Sequence, residues 1–410
     1  MKKILIHSIV YSPDGVSTAY LYNDIANGLK ENGFEVTVLT TTPHYNVIEK
    51  ELRLQPLKKK LLGLYSVSFR NDIKIYHIPL KKYKNTLLRF LSFIYWHLSS
   101  LILGLSFKKV DYIISPSPPL SIGLVSIILA KIKKARSIYN IQEIYPDLLI
   151  NQGVIKNAYL IKLLRLLESF IYKHSSALIT IDPIFYSKIK DRVLDKEKIY
   201  IIPNFVDTAI YKPINQSIEL PKIFGKENDN LKVLYAGNIG HFQNWEPVIY
   251  AAKKLSDEKI EFWVIGEGVS KNNLIERIEK EKLSNVRIFP YQNRNLMPLL
   301  NNIADIHFIC VNPKMEQEGF PSKIYTIMAS AKPMVIMSGL NTPLYNFFEN
   351  LKCAVLISNN NKSEFTASIR HLANDKKLRE EMGQIGLKEV KLKYSKEIVV
   401  KNYIEVIHSI

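Results

Sequence analysis

The chain has 410 residues, 47% hydrophobic and 23% charged, which excludes a disordered or low-complexity protein and leaves room for two domains of ordinary size. Its two cysteines, Cys310 and Cys353, lie in apolar runs; they exclude a disulfide framework, match no metal or redox spacing, and point to a reducing compartment. The net charge of +18 is concentrated, because residues 1–200 hold 29 Lys and Arg against 15 Asp and Glu while the rest holds 27 against 23.

Such an asymmetry asks for an anionic partner of the first half: nucleic acid, a membrane surface or an acidic substrate. No recognition-helix or RNA-binding motif accompanies the charge, so no nucleic acid partner is expected.

Met1 to Val10 begins like a signal peptide. Its apolar run is short, contains His7 and breaks at Tyr11-Ser-Pro-Asp-Gly15 without a small-residue cleavage site, so it reads as a first strand and the expected location is cytoplasmic. Residues 11–20 (YSPDGVSTAY) then lead into a helix. Gly15 permits close backbone approach there, and Ser17 or Thr18 can cap a helix whose free N–H groups attract phosphate. An ordinary strand-to-helix turn would look the same.

Residues 87–107 are apolar almost all round, interrupted by Arg89 and His97 and preceded by Lys81, Lys82 and Lys84. The length suffices to span a bilayer, which takes about 20 apolar residues. The interruptions fit better a helix lying in an anionic membrane interface, which would make the protein peripheral to the inner face of the plasma membrane. A helix buried between lobes or under a loop is the other reading.

Short β-branched runs fall at 3–10, 35–41, 73–78, 111–115, 136–141, 177–181 and 198–202, and again at 231–236, 261–265, 286–289, 306–311, 333–337 and 354–357. Strands apolar almost throughout, alternating with helical patterns in two series, predict an α/β protein with two doubly wound, Rossmann-like parallel sheets. The polar, aperiodic stretch 214–230 marks the neighbourhood of an interdomain linker. Ligands of such sheets bind at the carboxyl ends of the strands, so the substrate site is expected in the cleft between the two domains.

Several strand ends carry candidate chemistry. Residues 139–147 (YNIQEIYPD) aim Gln142, Glu143 and Asp147 at the cleft mouth, where Glu143 and Asp147 are a possible acid/base pair or caps of the next helix. Leu234–Gly240 places Asn238 between Gly237 and Gly240, either against a diphosphate or sugar or in a tight turn with Asn238 left-handed. Gly266 and Gly268 fit another close turn, and Tyr291 is placed to stack on a base or to fill the core beside a turn.

Residues 316–337 are the densest segment. An acidic loop with Glu318 runs into a helix that Ser322 can cap, with Lys323 in its first turn. A lysine there opposes the helix dipole, a mismatch removed if a pyrophosphate occupies the helix end. No Ser/His/Asp set, zinc spacing, P-loop or paired-Asp metal motif occurs, so neither a metal nor a cofactor is expected.

The motifs YSPDG (11–15), YNIQEIYPDLL (139–149), IPNFVD (202–207), YAGNIG (235–240) followed by QNWE (243–246), GEG (266–268) and EGFPSKIYTIMASAKP (318–333) occur in a familiar order. Through them the whole chain resembles retaining glycosyltransferases of family four with the GT-B architecture, and within these the bacterial O-antigen and capsule enzymes of the fucosaminyltransferase type. The resemblance implies a metal-independent hexosyl or hexosaminyl transfer from a UDP-sugar, an N-acetylated deoxyhexosamine, to a polyprenyl-diphosphate-linked saccharide.

It also implies roles. Glu318 matches the first glutamate of the family's E-x7-E motif and would hold the donor sugar, while Thr326 stands where the second, ribose-binding glutamate is usual. His241, Phe242, Gln243 and Asn244 replace the usual Arg and Lys after the glycine turn, which leaves Lys323 to meet the diphosphate. Gln142-Glu143 replaces a His-Asp pair on the acceptor side. The expected division is 1–205 for the acceptor, 206–385 for the nucleotide-sugar, and a helix within 386–410 packing back on the first domain. Two other classes fit less of the chain. A GT-B-fold sugar-nucleotide epimerase has no use for residues 87–107, and a basic membrane- or nucleic-acid-binding module has none for the glycine turns.

Overall fold

The computed structural model describes residues 1–81, 83–214, 220–225, 228–317, 320–359 and 361–410. It divides into two compact units, Met1–Asn204 with Lys396–Ile410, and Phe205–Ser395.

The first unit carries β1 (Lys3–His7), β2 (Glu35–Thr41), β3 (Lys58–Lys60), β4 (Tyr65–Arg70), β5 (Ile73–Ile78), β6 (Tyr112–Ser117), β7 (Arg136–Ile141), β8 (Ala177–Thr180) and β9 (Ile199–Ile201). They form one sheet in the order β3-β4-β5-β2-β1-β6-β7-β8-β9. Only β4 runs against its neighbours. The central strands are buried on both faces, in largely apolar runs that also bury His7, Ser115, Ser137 and Asn140.

Strands β3 and β4 were not legible in the sequence. β6 runs two residues beyond the expected 111–115, through Pro116. Its pairing with β1 ends at Ile114, so the missing N–H of Pro116 removes no bond on that side.

Helices Thr86–Ser106, Ser121–Lys133 and Ala158–His174 pack side by side on this sheet. In the first of them Trp96, His97, Ser100 and Gly104 face inward, Gly104 lying against Leu129. Only 17% of its most apolar 18-residue window is buried, so the buried-helix reading does not hold.

The helix Lys396–Ser409 belongs to the first unit. Val400 sits against Gly28 of helix Ser17–Glu31, and the Tyr403 hydroxyl bonds to the Asn140 amide. Residues 386–395, expected with this helix, lie in the second unit.

The second unit holds β10 (Leu231–Ala236), β11 (Ile260–Ile265), β12 (Val286–Phe289), β13 (Ile306–Cys310), β14 (Met334–Met337) and β15 (Ala354–Ile357). All pairs are parallel, in the order β12-β11-β10-β13-β14-β15. The order reverses between β10 and β13, the doubly wound pattern whose crevice lies at the carboxyl ends of those two strands. The chain enters this unit at Phe205, upstream of the stretch 214–230 expected to hold the linker. Within that stretch Phe224 is buried and stacks on Trp263 at 5.5 Å.

Candidate functional site

At the carboxyl end of β10 the chain turns through Gly237, whose φ of 150° suits glycine. The Gly237 N–H donates to Ile265 O at 2.9 Å and the Ile239 N–H to Glu267 O at 2.8 Å, so the turns after β10 and β11 are zipped together. A Cβ on Gly266 (φ 154°) would lie 1.9 Å from Gly237 O. The closeness that requires Gly266 is therefore to the chain's own backbone.

The positive φ is at Gly237 and not at Asn238, which is exposed; a left-handed Asn238 is not found. Gly240 N donates to Gln243 Oε1 at 3.1 Å. Asn244 N donates to Cys310 O at 2.9 Å and Asn312 N to Phe242 O at 2.8 Å, strapping this loop to the end of β13.

Lys323 enters the same place from helix Lys323–Ala329. Its Nζ sits 3.6 Å from the centroid of the Tyr235 ring, and a Cβ on Gly237 would come within 2.6 Å of it. Burial lowers the ammonium pKa to about 7, and among the described residues no acidic side chain opposes that shift. The arrangement is a desolvated cation held by an aromatic face beside a glycine turn, next to the sheet's switch point. It is suited to meet the charge of a phosphate. Tyr235, whose hydroxyl donates to Asn238 O at 2.7 Å, was not singled out in the sequence, where it reads as one more core residue of β10.

Ser322 is exposed and accepts no capping hydrogen bond, so the expected cap is absent. Thr326 Oγ1 donates back to Lys323 O at 2.8 Å, which commits its proton within the helix. Glu318 lies outside the described residues, as does Gly319. Nearby Glu316 accepts from Gly339 N at 2.9 Å and from the Asn359 amide, tying its loop to the turns after β14 and β15. Tyr291 is 56% exposed beyond β12.

In the first unit, Gly15 approaches its own chain. Its N–H donates to Tyr45 O at 3.0 Å, and a Cβ would meet Asn46 O at 2.5 Å. Helix Ser17–Glu31 starts at Val16, and neither Ser17 nor Thr18 caps it.

After β7, Gln142 bridges Asn140 and Asn204, donating to the first at 3.1 Å and accepting from the second at 3.0 Å. Desolvation raises the Glu143 pKa, against a hydrogen bond from Tyr145 that lowers it. Asp147 has another task. It pairs with Arg192 at 2.6 Å and Arg165 at 2.5 Å, and both arginines also hold the buried Glu168, at 2.9 and 3.1 Å. Asp147 is thus held by two arginines and not paired with Glu143, whose pKa burial raises. Among the described residues no group of three or more His, Cys, Asp or Glu side chains could hold a metal ion.

Residues 19–210 match the family model described as Glycosyltransferase Family 4, and residues 216–389 match that described as Glycosyl transferases group 1. The chain is 26% identical over 388 residues to the putative colanic acid biosynthesis glycosyl transferase WcaI of Escherichia coli, covering 90% of this chain and 91% of that one. Its fold is similar to that of sucrose-phosphate synthase from Thermosynechococcus elongatus (TM-score 0.74, 11% identity, 100% and 99% of the two chains). It is equally similar to that of Anabaena HepE in complex with UDP and glucose (TM-score 0.73, 13% identity, 100% of both chains). The architecture is GT-B.

Proposed function

We propose that this chain, a family 4 glycosyltransferase domain followed by a group 1 glycosyl transferase domain, moves a sugar from a UDP-linked donor to a polyprenyl-diphosphate-linked saccharide during assembly of a surface polysaccharide of the O-antigen or capsule kind. The observation that carries the reading is Lys323, a half-buried cation over the Tyr235 ring beside the glycine turn at the β10–β13 switch point. Among the described residues no acidic side chain accompanies it, and withdrawing a charge from water is costly unless an anion completes the site. The name of the colanic acid relative supports the polysaccharide setting, and the UDP and glucose bound to the HepE structure support the donor class. The fucosaminyltransferase likeness makes the sugar an N-acetylated deoxyhexosamine.

As the bond from the sugar's anomeric carbon to the β-phosphate oxygen breaks, charge gathers on the departing UDP, and the Lys323 ammonium meets it. In a retaining transfer the acceptor hydroxyl attacks from the side the phosphate leaves, and a phosphate oxygen takes its proton. No protein nucleophile or metal takes part. Glu318 holds sugar hydroxyls, and Glu143 holds the acceptor hydroxyl in the first unit. That unit rests on an anionic membrane at the inner face of the plasma membrane through the outward side of helix Thr86–Ser106, where Leu87, Phe90, Leu98 and Ile102 are exposed.

The test presents a panel of nucleotide-sugars with a polyprenyl-diphosphate saccharide in the presence of a chelator. An extended product with a UDP-sugar is expected, and Lys323→Ala should weaken donor binding by about ten- to hundredfold. Calorimetry showing no nucleotide binding to the intact protein would sink the proposal.

A further inference from the structure

The edge of the first sheet is a hairpin, with β3 outermost and β4 paired to β5. Lys58, Lys59 and Lys60 make up β3, all exposed, and no acidic side chain among the described residues pairs with them. Immediately after them Leu61, Leu62 and Leu64 are 67%, 110% and 59% exposed. Leu61 (φ 45°), Leu62 (φ 55°) and Gly63 (φ 92°) are left-handed in succession, and a Cβ on Gly63 would meet nothing within 4 Å. Lysines on an edge strand are an ordinary defence against sheet-to-sheet aggregation. That defence has no use for three bare leucines at the tip, two of them in a conformation leucine disfavours.

The hairpin leaves the sheet at the edge where the apolar helix emerges. Ser66 pairs with His77, and Thr41 with Ile78, so the tip lies at the carboxyl edge of the parallel strands. Lys81 N donates to Ser92 Oγ at 3.2 Å, bringing the helix Thr86–Ser106 past that same edge with its exposed residues 87–91 beyond. An aromatic row fixes the hairpin's base to the unit: Tyr65 to Tyr76 at 5.9 Å, and Tyr76 to Phe107 at 4.8 Å.

We infer that Lys58–Leu64 is a second membrane-docking element, whose leucines enter the interface of an anionic bilayer while the three lysines stay among the headgroups. This rests on the membrane reading of the helix Thr86–Ser106 and adds a separate contact to it. Charge decides for lipid: an exposed apolar tip preceded by three exposed lysines matches a surface that is apolar within and anionic outside.

The intact protein is mixed with vesicles of phosphatidylglycerol and phosphatidylethanolamine, or of phosphatidylcholine alone. Cys310 and Cys353 are buried, so an environment-sensitive label on Leu62→Cys reports on the tip. A blue shift with the anionic vesicles only is expected. Leu61→Ser/Leu62→Ser should bind them about tenfold more weakly, and each of Lys58, Lys59 and Lys60 changed to Gln should cost about fivefold at low salt. UDP binding by calorimetry should be unchanged in the leucine variant. If the wild type binds vesicles but the label is silent and the leucine variant binds equally well, the hairpin inference is wrong and the helix reading stands. If the wild type binds no vesicles, both fall. A blue shift that grows with protein concentration without lipid makes a second copy the occupant and overturns the inference.

Discussion

Lys323 pays for its position in protonation, and that makes it measurable. Its folded pKa is about 7 and its ordinary value 10.5, so between those pH values the unfolded chain holds a proton that the native chain has released. Native stability should therefore rise with pH across that window, and Lys323→Met should flatten the slope in urea titrations. On the proposed reading, a bound diphosphate would restore the ammonium. Above pH 7 donor affinity should fall by up to about tenfold per pH unit, and calorimetry at pH 8 in buffers of different ionisation enthalpy should show proton uptake approaching one per UDP. Lys323 drew notice in the sequence because its charge opposes the dipole of the helix it opens. Asp147 was misread because its partners Arg165 and Arg192 lie far along the chain. The two acids of that segment now part company. Glu143→Gln should lower transfer to the lipid-linked acceptor with UDP affinity unchanged, whereas Asp147→Asn should cost about 1–3 kcal/mol of stability, seen in the melting temperature, by leaving two arginines short of a carboxylate.

The loop elements of the second unit work as a set. Because the turns after β10 and β11 are hydrogen-bonded to each other, damage to one displaces the other. Gly266→Ala would place a methyl into Gly237 O at a φ few residues adopt. It should cost about 2 kcal/mol or more in urea unfolding and, on the proposed reading, abolish UDP binding by displacing the Gly237 turn. The glycines were visible in sequence, but their reason was not: a turn that approaches a ligand and one that approaches its own backbone are spelled alike. Strands β3 and β4 escaped notice for a related reason. The edge strand β3 needs no apolar face and Lys58–Lys60 has none, while β4 fills buried positions with Ser66 and Ser68. The long parallel strands were readable because burial on both faces favours apolar residues along most of their length.

For the whole molecule, two series of strand and helix foretold two sheets, while the boundary residues and the membership of 386–395 depended on packing the sequence does not spell out. The far end of the chain is part of the first unit's core. Tyr403→Ala removes a buried ring and its bond to Asn140, and should lower the first unit's stability by about 3–5 kcal/mol while UDP binding persists, a separation that paired calorimetric and binding measurements would reveal. The same feature sets a schedule. The ribosome finishes β9 long before it reaches Lys396, and at roughly 5–20 residues per second the gap amounts to about 10–40 s. During that interval the second unit's strands are all made, yet the helix Ser17–Glu31 waits with the surface around Gly28 uncovered. The half of the protein that is synthesised first is therefore the half that matures last.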